Sequence, residues 1–204
     1  MSGELIPLFP LNVVLFPGTP LPLHIFEPRY RQMTQECLER KQEFGVVLAR
    51  KEGIAAVGCS AEILRVVKQY EDGRSDILTV GRRRFRVEEV FDDKPYYQAR
   101  VEFLPEPAAK DDPHAAERLL VLYAEVHRLV YGREGGTVPA AGNSLAYSVA
   151  AELPLDVEFK QELLQLDSDA ERRQALLERL AAWADELRRM ARARKKAGGN
   201  GHGR

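Results

Sequence analysis

The sequence predicts an α+β fold in two parts: a small, irregular β barrel carrying one helix, followed by a helical bundle. Three observations point there. Up to about Leu104, short apolar runs alternate with turn residues at strand-like spacing. A stretch of prolines and charges, Pro105–Pro113, then interrupts the pattern. Beyond it, apolar residues recur at helical spacing as far as Met190. The expected organisation is a β-rich part over residues 1–104, a linker over 105–113, a helical part over 114–196 and a disordered tail over 197–204.

The chain opens on a proline-punctuated ribbon, Leu5 to Tyr30. Pro7, Pro10, Pro17, Pro20 and Pro22 lack a backbone donor and fix φ, which excludes a long helix or a central strand. The Leu, Ile, Val and Phe between them favour burial. Short extended segments on sheet edges, with a turn at Pro17-Gly18, satisfy both demands. Glu27 then precedes Pro28, and proline suits the first position of a helix. Tyr30, Met33, Cys37 and Leu38 follow at helical spacing. Phe44–Ala49 reads as a buried strand. Ala61–Val67 and Ser75–Gly81 read as a hairpin around Asp72-Gly73. Phe85, Val87 and Val90 begin a further strand region. Tyr97, Ala99, Val101 and Phe103 alternate with polar residues, as in a half-buried strand.

In the second part, Leu119, Leu122, Val126 and Leu129 mark one helical face, widened by Leu120, Tyr123 and Val130. Asn143–Glu152 is a shorter helix that stops near Pro154, and Asp156 caps a third. Ser168 and Glu171 form a capping box that opens the last helix. Along that helix Leu176, Leu180, Trp183, Leu187 and Met190 make a stripe expected to be bundle core, Trp183 included. The end of the helix is basic from Arg188 to Lys196, which suits cations at a helix C-terminus.

Composition narrows the function. The net charge of −1 gives no general pull toward nucleic acid or membrane. No secretory signal opens the chain, and no run approaches the ~20 apolar residues of a membrane span, so a cytoplasmic protein is expected. Cys37 and Cys59 form no metal or redox motif and read as structural thiols. His24, His114, His127 and His202 stand apart, so no metal site is expected. Gly132, Gly135 and Gly136 lack the lysine and spacing of a phosphate loop. Ser144 and Ser148 read as packing hydroxyls within a helix, with no His or Lys beside them. No cofactor and no catalytic residue are expected.

Four blocks carry a resemblance. They are P-L-N-V-V-L-F-P-G with P-L-P-L-H-I-F-E-P-R-Y-R in the ribbon, V-G-C-S-A-E-I-L-R-V from Val57, D-G-R-S-D-I-L-T-V-G-R-R-R-F-R-V from Asp72, and L-A-Y-S-V-A-A-E-L-P-L-D-V-E-F-K-Q-E-L-L from Leu145. In this order they cover nearly the whole chain, and the chain resembles the N-terminal, substrate-binding domain of Lon proteases. The resemblance implies a PUA-like pseudobarrel. It also implies a role in recognising polypeptides near ATP-dependent proteolysis, with polypeptide substrates or a protease or chaperone as partners. Full-length Lon proteases continue into ATPase and serine–lysine peptidase modules. Neither occurs before Arg204, so the expectation is a stand-alone, non-enzymatic Lon N-terminal-like protein. A groove between proline-rich strand edges and the helical part would accept an extended peptide. The candidate lining is Phe16, Pro17, His24, Phe26 and Tyr30.

The run R-R-R-F-R from Arg82 to Arg86 supports an alternative. In a regular strand Arg82, Arg84 and Arg86 share one face. With the basic tail they would make a PUA-like RNA-binding module through phosphate contacts. Otherwise they pair with Glu62, Asp76, Glu88 or Glu89 on neighbouring strands, the reading that the resemblance favours.

Overall fold

The structure, a computed structural model, describes residues 3–106, 112–133 and 144–199, with side chains as far as Ala193. The middle of the expected linker, the glycine stretch beyond Arg133, the side chains of Arg194 to Lys196 and the last residues of the tail lie outside the described residues.

Five strands close a barrel. β1 (Glu4–Leu11) pairs in parallel with β3 (Phe44–Arg50) and antiparallel with β7 (Gln98–Phe103). β7 pairs with β6 (Ser75–Phe91), β6 with β5 (Val57–Gln69), and β5 returns to β3. The ring encloses Ile6, Leu8, Val47, Phe85, Ala99 and Val101. The predicted strand regions at Ser75–Gly81 and Phe85–Val90 are one continuous strand, β6. A two-residue strand, β4 (Gly53–Ile54), adds to β3.

Past the ring, β5 and β6 run on as a long hairpin around Asp72-Gly73, where Gly73 has φ 83°. β2 (Pro20–Ile25) pairs with the start of β6, from Pro20 opposite Val80 to Ile25 opposite Ser75. The result is a three-stranded flap in the order β2–β6–β5. The lead into β2 is the expected turn. Gly18 has φ 78°, and the Thr19 N–H donates to the Phe16 carbonyl at 3.1 Å. This turn lies so close to β6 that a Cβ on Gly81 would sit 2.2 Å from the Phe16 carbonyl oxygen, so only glycine fits there.

α1 (Pro28–Arg40) starts with Pro28 in its first turn and ends at Lys41, whose φ is 51°. It buries Tyr30, Met33 and Cys37, and the Tyr30 ring lies 4.1 Å from that of Phe9. The helical part contains α2 (Pro113–Tyr131), α3 (Leu145–Glu152), α4 (Val157–Gln165) and α5 (Asp169–Gly199). Asp112 and Asp156 cap α2 and α4, and Ser168 with Glu171 closes the predicted capping box. Ser144 stands just before α3 as its cap, not within the helix, and its hydroxyl also meets Asp169. Ser148 is buried and donates to the Ser144 carbonyl.

One apolar core joins the two parts. It runs from Phe9 and Tyr30 through Phe16 to Tyr147, Leu119 and Leu180, with Phe16 stacked on Tyr147 at 4.9 Å. The stripe on α5 is buried at Leu176 and Leu180, half-buried at Trp183 and Leu187, and exposed at Met190. Trp183 therefore packs against the core at its edge and is not fully inside it. It lines an open cavity of about 500 Å³ together with Pro154 and Leu155.

Candidate functional site

The five residues proposed from sequence do not assemble into one surface. Phe16 and Tyr30 are 1% and 5% exposed and belong to the core. Pro17 is half-buried in its turn. The large aromatics between the prolines pin the ribbon into the barrel, which leaves them nothing to offer a ligand. His24 and Phe26 stand outside, with their rings 6.0 Å apart and stacked. His24 Nδ1 lies 2.6 Å from Asp76 Oδ1, and the Tyr70 hydroxyl donates to Asp76 Oδ2 at 2.7 Å. The His24 contact first, then that of Tyr70, holds the Asp76 carboxyl below its ordinary range. His127 is buried at the edge of the helical core, with Nδ1 3.3 Å from the Arg133 carbonyl oxygen.

The arginine stripe does not form. Cys59 on β5 opposes Arg84 while Ala61 opposes Gly81, so β6 carries an extra residue between them. This bulge breaks the alternation, and the Arg83 N–H left over donates to Ser60 Oγ at 3.0 Å. Arg82 and Arg83 are both exposed and pair with Glu62 and Glu43. Arg86 pairs with Glu102. Arg84 turns inward and is only 2% exposed. It binds Glu106 and the carbonyls of Pro105, Leu164 and Leu166, while Arg172 of α5 takes the other Glu106 oxygen. Arg84 thus ties the barrel to the helical part. Of the other expected partners, Asp76 goes to His24 and Glu89 to Arg100.

A different surface has the features a ligand needs. From Glu62 to Gln69, β5 pairs with β6 alone, and among the described residues nothing pairs with its other edge. This stretch contains no proline. Two further bulges skip Leu64 and Val67 and leave them 49% and 58% exposed. Beside the strand, facing α1, is a cavity of about 470 Å³ lined by Pro28, Arg31, Gln35, Leu38, Val66 and Gln69. A second, of about 390 Å³, shares Leu38 and continues past Ile63 to Lys41 and Glu62. Together they form a groove between α1 and β5. Phe26, two residues before Pro28 in the chain, is exposed.

The groove is braced at both walls. The Arg31 guanidinium donates to the Asp72 carbonyl at 2.7 Å, which fastens the hairpin turn to α1. Glu36, on α1, accepts from Lys94 at 2.6 Å and from Tyr96 at 2.8 Å. Hydrogen bonds from Lys94, then Gln32, then Tyr96 pull the Glu36 carboxyl down to about 2. Cys37 lies under the groove, where burial raises its thiol to about 11. It and Cys59 are free and buried, as inert thiols are. Sequence reasoning missed Leu38, Leu64, Val66 and Val67. A signal was present: Ile63-Leu64 and Val66-Val67 are adjacent apolar pairs, which strict alternation cannot bury on one face. Among the described residues, no three His, Cys, Asp or Glu gather to hold a metal, and no helix is long and apolar enough to cross a membrane.

Comparison with known proteins gives the fold its relatives. The family model of the ATP-dependent protease La (LON) substrate-binding domain matches residues 5–182. A Lon protease of Paraburkholderia phytofirmans is 31% identical over 198 residues, covering 87% of this chain and 24% of the relative. One of Cytophaga hutchinsonii is 26% identical over 195 residues, covering 86% and 24%. The chain therefore spans about a quarter of the length of these curated relatives. Among solved structures, a Lon N-terminal domain protein from Xanthomonas campestris superposes with a TM-score of 0.67 at 28% identity, covering 88% of this chain and 98% of that one. The N-terminal domain of a Mycobacterium avium complex Lon protease shares the fold, with a TM-score of 0.61 at 17% identity and coverage of 87% and 98%.

Proposed function

The chain belongs to the Lon substrate-binding domain family, and on that premise we propose that it recognises extended polypeptide segments, held along the open edge of β5 in the groove beside α1. The carrying observation is an unpaired, proline-free strand edge next to a groove that carries aliphatic side chains on both walls among polar ones such as Gln32, Gln35 and Gln69. A peptide added as a further strand gains main-chain hydrogen bonds whatever its sequence, and pockets for alternate side chains supply the selectivity. Leu38, Val66, Leu64 and Val67 offer apolar contact. Phe26, stacked on His24, extends the surface at one end. Phe16 and Tyr30 act from below, by fixing the ribbon and α1.

In this reading the chain binds and does not catalyse. Proteolysis belongs to other modules or partners, as it does in the full-length relatives, and the substrate is an unfolded or locally extended protein. The compartment is the cytoplasm, where two buried thiols stay reduced. Binding of nucleic acid gains nothing from the arginines, because Arg82, Arg83 and Arg86 are each paired with an acid and Arg84 is inside.

The test is fluorescence anisotropy of a labelled, permanently unfolded polypeptide titrated with this protein. Leu38→Asp and Val66→Asp place unpaired charges in the groove and should each weaken binding by about tenfold or more, at the ~1–3 kcal/mol cost of an imperfectly solvated polar group. Unchanged affinity in both variants would move the site elsewhere.

A further inference from the structure

Charge is divided unevenly along this groove. Its two cavities are lined by four charged side chains, Arg31, Lys41, Glu43 and Glu62. Both acids are neutralised from β6: Glu62 by Arg82 and Glu43 by Arg83, the two arginines that the bulge turns to the surface. Neither cation forms an ion pair among the described residues, although Arg31 lies in the field of the Asp72 carboxylate, which is itself paired with Arg74. Arg31 donates to a backbone carbonyl, and Lys41, in its left-handed cap position, forms no ion pair. On β5 itself Arg65 is exposed and pairs with nothing described, while Lys68 lies over the Tyr70 ring at 4.4 Å and opposite Asp76, whose charge it partly balances. Of the acids nearby, Asp72 is already paired with Arg74 and Asp76 with His24, Glu39 accepts from Gln35, and Glu71 stands at the hairpin turn.

We infer that the groove selects segments in which acidic residues flank a short apolar core, an inference that rests on reading the groove as a polypeptide site. Arg31 and Lys41 mark the two ends of the α1 wall. Ten residues of helix rise about 15 Å, and an extended chain covers that in four or five residues. The matching segment therefore carries Asp or Glu about four to five positions apart with aliphatic residues between. Arg65, in the middle of the edge strand, meets a further acid on the opposite side of the added strand. Between these cations the apolar contacts are Leu38, Ile63 and Val66, set among Thr34, Gln35, Gln42 and Gln69. No aromatic ring lines the two cavities for a base to stack on, which favours a peptide over single-stranded nucleic acid.

The experiment compares two labelled peptides with the same apolar core, one flanked by Asp and Glu, the other by Lys, at low and high salt. The acidic peptide should bind about tenfold tighter at low salt, the sum of a few solvent-exposed ion pairs, and the gap should close at high salt as these are screened. Reversing the cations with Lys41→Glu and Arg65→Glu should exchange the preference without lowering the thermal midpoint. Equal binding of both peptides, lost together in Leu38→Asp, would overturn the charge selection and leave the polypeptide site standing. Binding of neither peptide would overturn both. Capture of single-stranded RNA, abolished by the same charge reversal and unaccompanied by peptide binding, would assign the cations to nucleic acid.

Discussion

β2 and β5 flank the same flap, one on each side of β6, and over this length each has an edge with no strand beside it among the described residues. They treat that edge in opposite ways. β2 places Pro20 and Pro22 among its six residues, so two of its donors are missing and a new strand cannot pair along it. The opposite edge strand, β5, has none, and its bulges turn two aliphatic side chains outward. Bulges commonly protect an edge by twisting it away, but here they enlarge its apolar surface. The lesson is that edge protection is written residue by residue, and an edge left open beside a groove is a candidate for use.

The contrast can be broken most severely at Gly81, where β6 receives the turn that leads into β2. Gly81→Val would collide with the Phe16 carbonyl, detach that turn and leave β6 with an exposed edge. The expected loss is about 3 kcal/mol in urea denaturation, the upper range for overpacking. A loss below ~1 kcal/mol would show the approach to be loose.

Next in size is closure of the β5 edge itself. Leu64→Lys with Val67→Lys puts charges where edge strands are usually guarded. Affinity for an unfolded polypeptide should fall by about tenfold, while stability should move by no more than ~0.5 kcal/mol, because both residues are already solvated. Equal loss of stability and affinity would point to a structural role.

A smaller effect separates the two edges by pH. Glu36 anchors α1, which β5, and not β2, faces across the groove. Its carboxyl is held at about 2, below its ordinary value of about 4.5, so its contribution to stability is full above about 4.5 and is lost as pH falls toward 2. In Glu36→Gln the fall of the thermal midpoint across that window should flatten. An unaltered acid profile would mean that other carboxylates control it.

The smallest change opens the closed edge. Pro22→Val restores a donor on β2 with stability expected to change by ~0.5 kcal/mol or less. It should make the protein self-associate with rising concentration in sedimentation velocity. A strictly unchanged sedimentation profile would show that something other than the prolines protects β2.

Much of the fold was legible because local chemistry encodes it. Pro17-Gly18 makes its turn, Pro28 opens α1, Asp72-Gly73 closes the hairpin and Ser168 with Glu171 caps α5, each through bonds to residues a few positions away. The candidate site was much less legible. The inward turn of Arg84 follows from a bulge against β5, and a bulge depends on which strands pair. Phe16 and Tyr30 read as a surface because they flank prolines, but burial is decided by Tyr147 and Phe9, distant in the sequence. The open edge of β5 is likewise a property of the barrel, whose ring closes through β1 and β3 and leaves the hairpin projecting beyond it.

Amide hydrogen exchange, with and without a saturating unfolded polypeptide, tests the central claim most directly. Strand addition at β5 predicts slower exchange over residues 62–69, with residues 20–25 of β2 unchanged. Slower exchange along β2, or protection confined to the helical part with residues 62–69 unaffected, would contradict it.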